Sequence, residues 1–249
     1  MITRAIFVLS SPKAGEQFLR VLPDLRAIGL AEATILHLVA AKRGPAEPMP
    51  DLANWIRHFE AAIPKVELAL KRGDPVKWIY ELARVRQVDI VVISGARNGV
   101  EWDLERVSSP LRSVGIPILY LPENQLEGPL GDRVLVAVKS AETLDRTVSK
   151  LREWFGFDEL RAVRIADSVA DGQRRECSGV QLEIVSDEGD VATTLLHQAE
   201  RCGATLLTIL ADEEGDLAGA AQGLPVVRPL IETTLRPVLI WPSVAKASA

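Results

Sequence analysis

The sequence predicts an α/β protein of two tandem domains, each an open five-stranded parallel sheet flanked by helices, with one helix missing from the second. Three observations carry this. Residues 66–99, VELALKRGDPVKWIYELARVRQVDIVVISGARNG, read as strand, tight turn, helix, strand. Residues 182–212, LEIVSDEGDVATTLLHQAERCGATLLTILAD, repeat that pattern without a gap, so that Glu67 falls on Glu183, Gly73-Asp74 on Gly189-Asp190, Ile79 on Leu195 and Ala83 on Ala199. Strand-length apolar runs also alternate with helical-period segments through both halves. Parallel strands so close in sequence require helical crossovers on the sheet faces. A unit written twice therefore accounts for the chain.

The elements follow in order. AIFVLS is a buried first strand that turns at Ser10-Ser11-Pro12. Phe18, Leu19, Leu22 and Leu25 then keep one apolar stripe until Gly29 stops the helix, with Pro23 expected to kink or break it. ATILHLV is the second strand, and the proline-rich residues 40–50 form a loop. Leu52, Trp55, Ile56, Phe59 and Ile63 line a helix ended by Pro64. The strand VELAL, a helix over 75–86 and the strand DIVVIS come next. A loop, GARNGVEWD, leads to a helix around 104–113, and IPILYLP closes five strands and four helices. Residues 122–132, polar and without apolar period, read as the linker, dividing the chain into domains 1–126 and 127–249. The second domain restarts with RVLVAVKS. Its segment ADGQRRECSG is too short and polar to match the helix of residues 52–63, so that element is expected to be lost.

Composition excludes more than it assigns. Hydrophobic residues make up 47% and charged residues 25% of the 249, an ordinary globular balance. The net charge of -5 argues against broad attraction to nucleic acid or anionic lipid, which need clustered Lys and Arg. The two cysteines, Cys177 and Cys202, show neither ligand pairing nor a disulfide framework, which fits a reducing cytoplasm. No run reaches the ~18 apolar residues of a membrane span, and the opening apolar run is too short for a signal segment.

A GDP turn opening the third helix, the DIVVISG strand and the final PILYLP strand, in this order and spacing, resemble the universal stress protein family, and the second half resembles it more weakly. The resemblance implies a tandem member with a Rossmann-like five-stranded sheet in each half. It implies intrachain pairing of the two domains through their last strands, IPILYLP and PVLIWP, which would cover two apolar edges. It leaves open a homodimer and a protein partner whose identity the sequence does not give.

Nucleotide-holding members of that family carry a glycine loop after the fourth strand, where backbone N–H groups and a helix N-terminus meet the phosphates. Gly95 and Gly99 bracket Ala96-Arg97-Asn98 here, one residue wider than the family spacing. Gly95, Arg97 and Gly99, with Ser108 and Ser109 as added donors, are the candidate phosphate or anion site. Counting back from Pro117, the family's third glycine and its hydroxyl partner fall on Leu104 and Glu105. Like charges ~4 Å apart at an effective dielectric of ~20 repel by roughly 4 kcal/mol, so a carboxylate there opposes phosphate. The family's Asp at the end of the first strand is matched by Ser11, and in the second domain by Lys139. Asp212, Glu213, Glu214 and Asp216 replace the second domain's glycine loop. No resident cofactor is expected, with ATP in the first domain the one candidate.

His37 lies in an apolar strand and reads as a core residue, and His58 and His197 lack ligands at metal spacing. Neither a G-x-S-x-G elbow, a Walker loop nor H-E-x-x-H is present. Three functions stay open: a non-enzymatic stress or regulatory protein with a degenerate nucleotide site, a nucleotide-responsive switch through Gly95–Gly99, and an enzyme of the wider nucleotide-binding α/β group. The lack of a catalytic constellation favours the first.

Overall fold

The computed structural model describes residues 1–39, 52–95, 104–122, 128–138, 141–166, 173–177, 179–186, 190–211 and 227–242. Its contacts divide the chain into two compact units, Met1–Gln125 and Leu126–Ala249.

Unit 1 runs β1 (Arg4–Leu9), α1 (Pro12–Ala27), β2 (Glu32–Val39), α2 (Leu52–Ala62), β3 (Lys65–Arg72), α3 (Pro75–Arg86), β4 (Ile90–Ser94), α4 (Leu104–Ser113), β5 (Ile118–Leu121). The strands stand in the order β3-β2-β1-β4-β5, all parallel. Phe7 of β1 anchors one face, its ring edge-on to Phe18 of α1 at 5.3 Å and to Phe59 of α2 at 4.8 Å. On the other face α3 buries Ile79 and Ala83, and its Arg86 pairs with Glu67 of β3 at 2.6 Å. Helix α1 runs through Pro23 to Ala27 without the expected break. Leu22 and Leu25, buried on either side of the proline, hold the axis across the missing hydrogen bond.

Unit 2 runs β6 (Arg133–Ala137), α5 (Ala141–Trp154), β7 (Glu159–Ala166), β8 (Gln173–Cys177), β9 (Val180–Ser186), α6 (Val191–Arg201), β10 (Leu206–Ala211), α7 (Val227–Thr233), β11 (Val238–Pro242). Its order is β11-β10-β6-β7-β9-β8. Five of these strands are parallel, as expected. The sixth, β8, is antiparallel to β9 and turns into it through Gly179 at φ +68°. The segment too short and polar for a helix is therefore an edge strand where unit 1 has α2. Its arginines conceal it from a hydrophobic reading, because a strand at a sheet edge can stay solvated on both faces. The stretch expected to be the linker also ends inside unit 2. Leu130 is buried, and the Asp132 carbonyl accepts from the N–H groups of Asp158 and Glu159.

The βαβ cores of the two units carry the same local contacts. Asp74 caps α3 by accepting from Val76 N at 3.0 Å, and Asp190 caps α6 by accepting from Ala192 N at 2.8 Å. A left-handed residue follows each helix, Gln87 at φ 50° and, one residue further on, Gly203 at φ 60°. The next N–H closes the turn, Val88 to the Ala83 carbonyl and Ala204 to the Ala199 carbonyl. Asp89 then accepts from Arg4 N at 2.9 Å, and Thr205 accepts from Arg133 N at 3.1 Å, tying the central strand to the start of its neighbour in each unit.

Candidate functional site

In a doubly wound sheet the ligand crevice lies at the carboxyl ends of the strands, where the order reverses. In unit 1 that point is between β1 and β4, which pair with Val8 opposite Ile93. The strands end on Ser10 and Ser11 and on Ser94 and Gly95. Ser11, where the resemblance would put an acid, accepts a hydrogen bond from Ala14 N at 3.2 Å and so caps α1, with Pro12 as the first helical residue.

Gly95 is built into the sheet end. Its N–H donates to the Leu121 carbonyl at 3.0 Å, extending the pairing of β4 with β5. Strand alternation places Tyr120 on the same face as Gly95, and its hydroxyl lies directly over the glycine. A Cβ at residue 95 would overlap that hydroxyl and stand 2.8 Å from Cζ. Close approach by the protein's own tyrosine thus explains the glycine here. Of the other expected site residues, Ser108 is buried in α4 beside Val107, and Ser109 is exposed. Arg97 and Gly99 lie outside the described residues, as do Lys139 and the acidic residues Asp212, Glu213, Glu214 and Asp216. The backbone of Leu104 and Glu105 opens α4, but their side chains are outside the described set.

Two groups missed by the sequence reading stand at the same strand ends. The hydroxyls of Ser10 and Ser94 are buried and have no hydrogen-bond partner among the described residues. Alternation along β1 and β4 puts Ser10 on the Gly95 face and Ser94 on the Phe7 face. Each such group costs about 1–3 kcal/mol when buried and unpaired. Their signal in the sequence was a serine closing each of two apolar runs, VLSS and VVIS.

At the amino ends of unit 1's strands a shallow cleft is lined by Arg4, Glu32, Lys65, Glu67 and Arg86. Lys65 meets Glu32 at 3.0 Å, and Arg86 meets Glu67 at 2.6 Å. The Lys65 hydrogen bond, offset in part by desolvation and helped by Lys65, Arg4 and Arg86 charges, holds the Glu32 carboxyl below the usual range. These charges satisfy one another at the surface, where such pairs add little stability.

His37 is buried, and its Nδ1 lies 3.1 Å from the Leu9 carbonyl, which fixes that nitrogen as a donor. Burial raises the Cys202 thiol above its ordinary value, and Cys202 and Cys177 are both free. Among the described residues no cluster of three or more His, Cys, Asp or Glu is placed to hold a metal ion. No helix among them is long and apolar enough to cross a membrane.

This architecture, with its mostly parallel sheets flanked by helices, is the universal stress protein fold. Solved structures with it include a universal stress protein from Archaeoglobus fulgidus DSM 4304, at 16% identity and TM-score 0.66, covering 96% of this chain and 95% of that one. A protein assigned as a universal stress protein from Pseudomonas aeruginosa UCBPP-PA14 matches at 14% identity and TM-score 0.62, covering 96% and 93%. A functionally unknown protein from Pseudomonas aeruginosa PAO1 matches at 15% identity and TM-score 0.61, covering 96% and 92%. No protein-family model and no curated protein matches the sequence.

Proposed function

We propose that this is a cytoplasmic tandem universal stress protein that works by association and not by catalysis, with ATP binding in unit 1 weak or absent. The geometry at Gly95 supports this most. A phosphate loop needs glycine N–H groups turned toward the anion. The Gly95 N–H belongs to the sheet, and the space its missing side chain leaves is taken by Tyr120. The sequence adds to this with Leu104 and Glu105 where the family pattern has a glycine and a hydroxyl. The stress-response role rests on the fold shared with the Archaeoglobus protein.

A second reading, an adenine nucleotide switch through Gly95, Arg97 and Gly99, is favoured by the unpartnered hydroxyls of Ser10 and Ser94, which a polar ligand at the strand ends could satisfy. Thermal melting of the full chain with and without millimolar ATP and Mg²⁺ separates the two. Ligand at 100 times its Kd adds about 2.7 kcal/mol to the folded state. An unmoved midpoint supports the first reading, whereas a rise that Arg97→Ala abolishes supports the second.

A further inference from the structure

Strand β3 ends the strand order of unit 1 among the described residues. It is eight residues long, KVELALKR, and two of its leucines face water, Leu68 at 40% and Leu70 at 56% exposure. A long edge strand with exposed apolar side chains is a template for another strand. The Lys65 N–H donates to the Ala31 carbonyl, so Lys65, Glu67, Ala69 and Lys71 direct their backbone groups to β2. By alternation the backbone groups of Val66, Leu68, Leu70 and Arg72 point outward. The outward carbonyl of Arg72 is already taken by the Trp78 indole N–H at 2.7 Å. This closes one end of the edge and leaves Leu68 and Leu70 as its open centre.

We propose that a second copy of the chain docks on this edge, β3 against β3, antiparallel, with the twofold axis at Ala69. In that register Leu68 faces Leu70 of the other copy at both hydrogen-bonded pairs, joining the ladder through their outward groups and setting four leucines together. Ala69 meets its own copy at the central pair without hydrogen bonds, the closest approach in such a ladder and one that suits a small side chain. Glu67 faces Lys71 of the other copy on both sides of the axis, and opposite charges directly across a ladder attract. Moving the axis to Leu68 would put Lys65 against Lys71, which repel. Charge therefore favours the Ala69 register, which gains two Glu67–Lys71 attractions, over the Leu68 one. The seam uses β3 alone and holds whether or not unit 1 takes a nucleotide.

The test is the mass of the full chain in solution, by sedimentation velocity at rising concentration. The wild-type chain should form a dimer by about 500 µM, the range of a small, weak interface. Lys71→Glu sets two carboxylates face to face twice, Glu67→Lys sets two ammonium groups face to face twice, and each should weaken self-association about tenfold or more. An equimolar mixture of these two variants restores opposite charges at both positions and should recover dimers. Leu70→Pro removes an outward N–H and no bond to β2, so it should give a folded monomer even if Glu67→Lys, which loses the Arg86 pair, fails to fold. A monomeric wild type at the highest concentration would overturn the proposal. So would Lys71→Glu or Leu70→Pro dimers as tight as wild type, or folded charge variants whose mixture stays monomeric.

Discussion

Gly95→Ala tests what the glycine after β4 is for. The added methyl would stand 2.8 Å from Tyr120 Cζ and overlap the hydroxyl, where carbon atoms settle at about 3.5 Å. Tyr120 cannot swing away cheaply, because its backbone is paired to Ile93 in β4 and its side chain is buried. Overpacking of this kind costs about 1–3 kcal/mol. Tyr120→Leu removes the ring and is itself destabilising by about 2 kcal/mol or more through the cavity it leaves. In that background, however, the new methyl at residue 95 has room. The double variant should therefore be more stable than the sum of the single losses by about 1 kcal/mol or more, the coupling expected of residues in direct contact. Urea unfolding followed by circular dichroism, without ATP, measures all four corners of the cycle. Equal costs for Gly95→Ala with and without the tyrosine would refute the close-approach argument. An unfolding midpoint unchanged by Gly95→Ala, together with loss of an ATP-induced stabilisation, would assign the glycine to a phosphate instead.

Gln87 holds a left-handed conformation at φ 50° that costs about 1–2 kcal/mol for a residue with a side chain, and glycine avoids this at an entropic cost of about 0.5–1 kcal/mol. Gln87→Gly should raise stability by about 0.5–1 kcal/mol, and Gly203→Gln at the matching turn of unit 2 should lower it by about as much, both read by urea midpoints. Asp190→Ala should cost about 1 kcal/mol through loss of the α6 cap. The Thr193 hydroxyl first, then the backbone N–H groups of Thr193 and Ala192, hold the Asp190 carboxyl below its ordinary value of 3.8. Because the folded value is the lower one, this contribution is complete above about pH 4 and fades as pH falls through the lowered value. Asp190→Asn should keep most of the cap and flatten that acid-side slope in pH-dependent melting.

The fold was legible because its signals are local and repeated. Gly73-Asp74-Pro75 announces a helix start through a φ of +99° at Gly73, a capping carboxylate and a proline at the first helical position. Ile79 and Ala83, and their counterparts Leu195 and Ala199, mark the buried face at helical spacing. Strand β8 was not legible, because QRREC has no alternation to betray it and its partner β9 supplies the reason it is extended. At the candidate site the glycine after β4 was visible in the sequence and its neighbour was not. A glycine after an apolar strand signals close approach without saying of what. The answer, Tyr120, lies 25 residues away and is brought over Gly95 by the register of β4 with β5.

The amino-acid order by itself determined the α/β class, the two strand-turn-helix-strand runs and the capped helix starts, since each depends on residues within a turn or two of one another. Tertiary structure alone decided that the Gly95 N–H joins the sheet, that the hydroxyls of Ser10 and Ser94 are buried without partners among the described residues, and that β3 ends the strand order of unit 1 among them. Those outcomes depend on which strands become neighbours, and strand order is set by crossovers and burial across the whole sheet, not by any local run of residues.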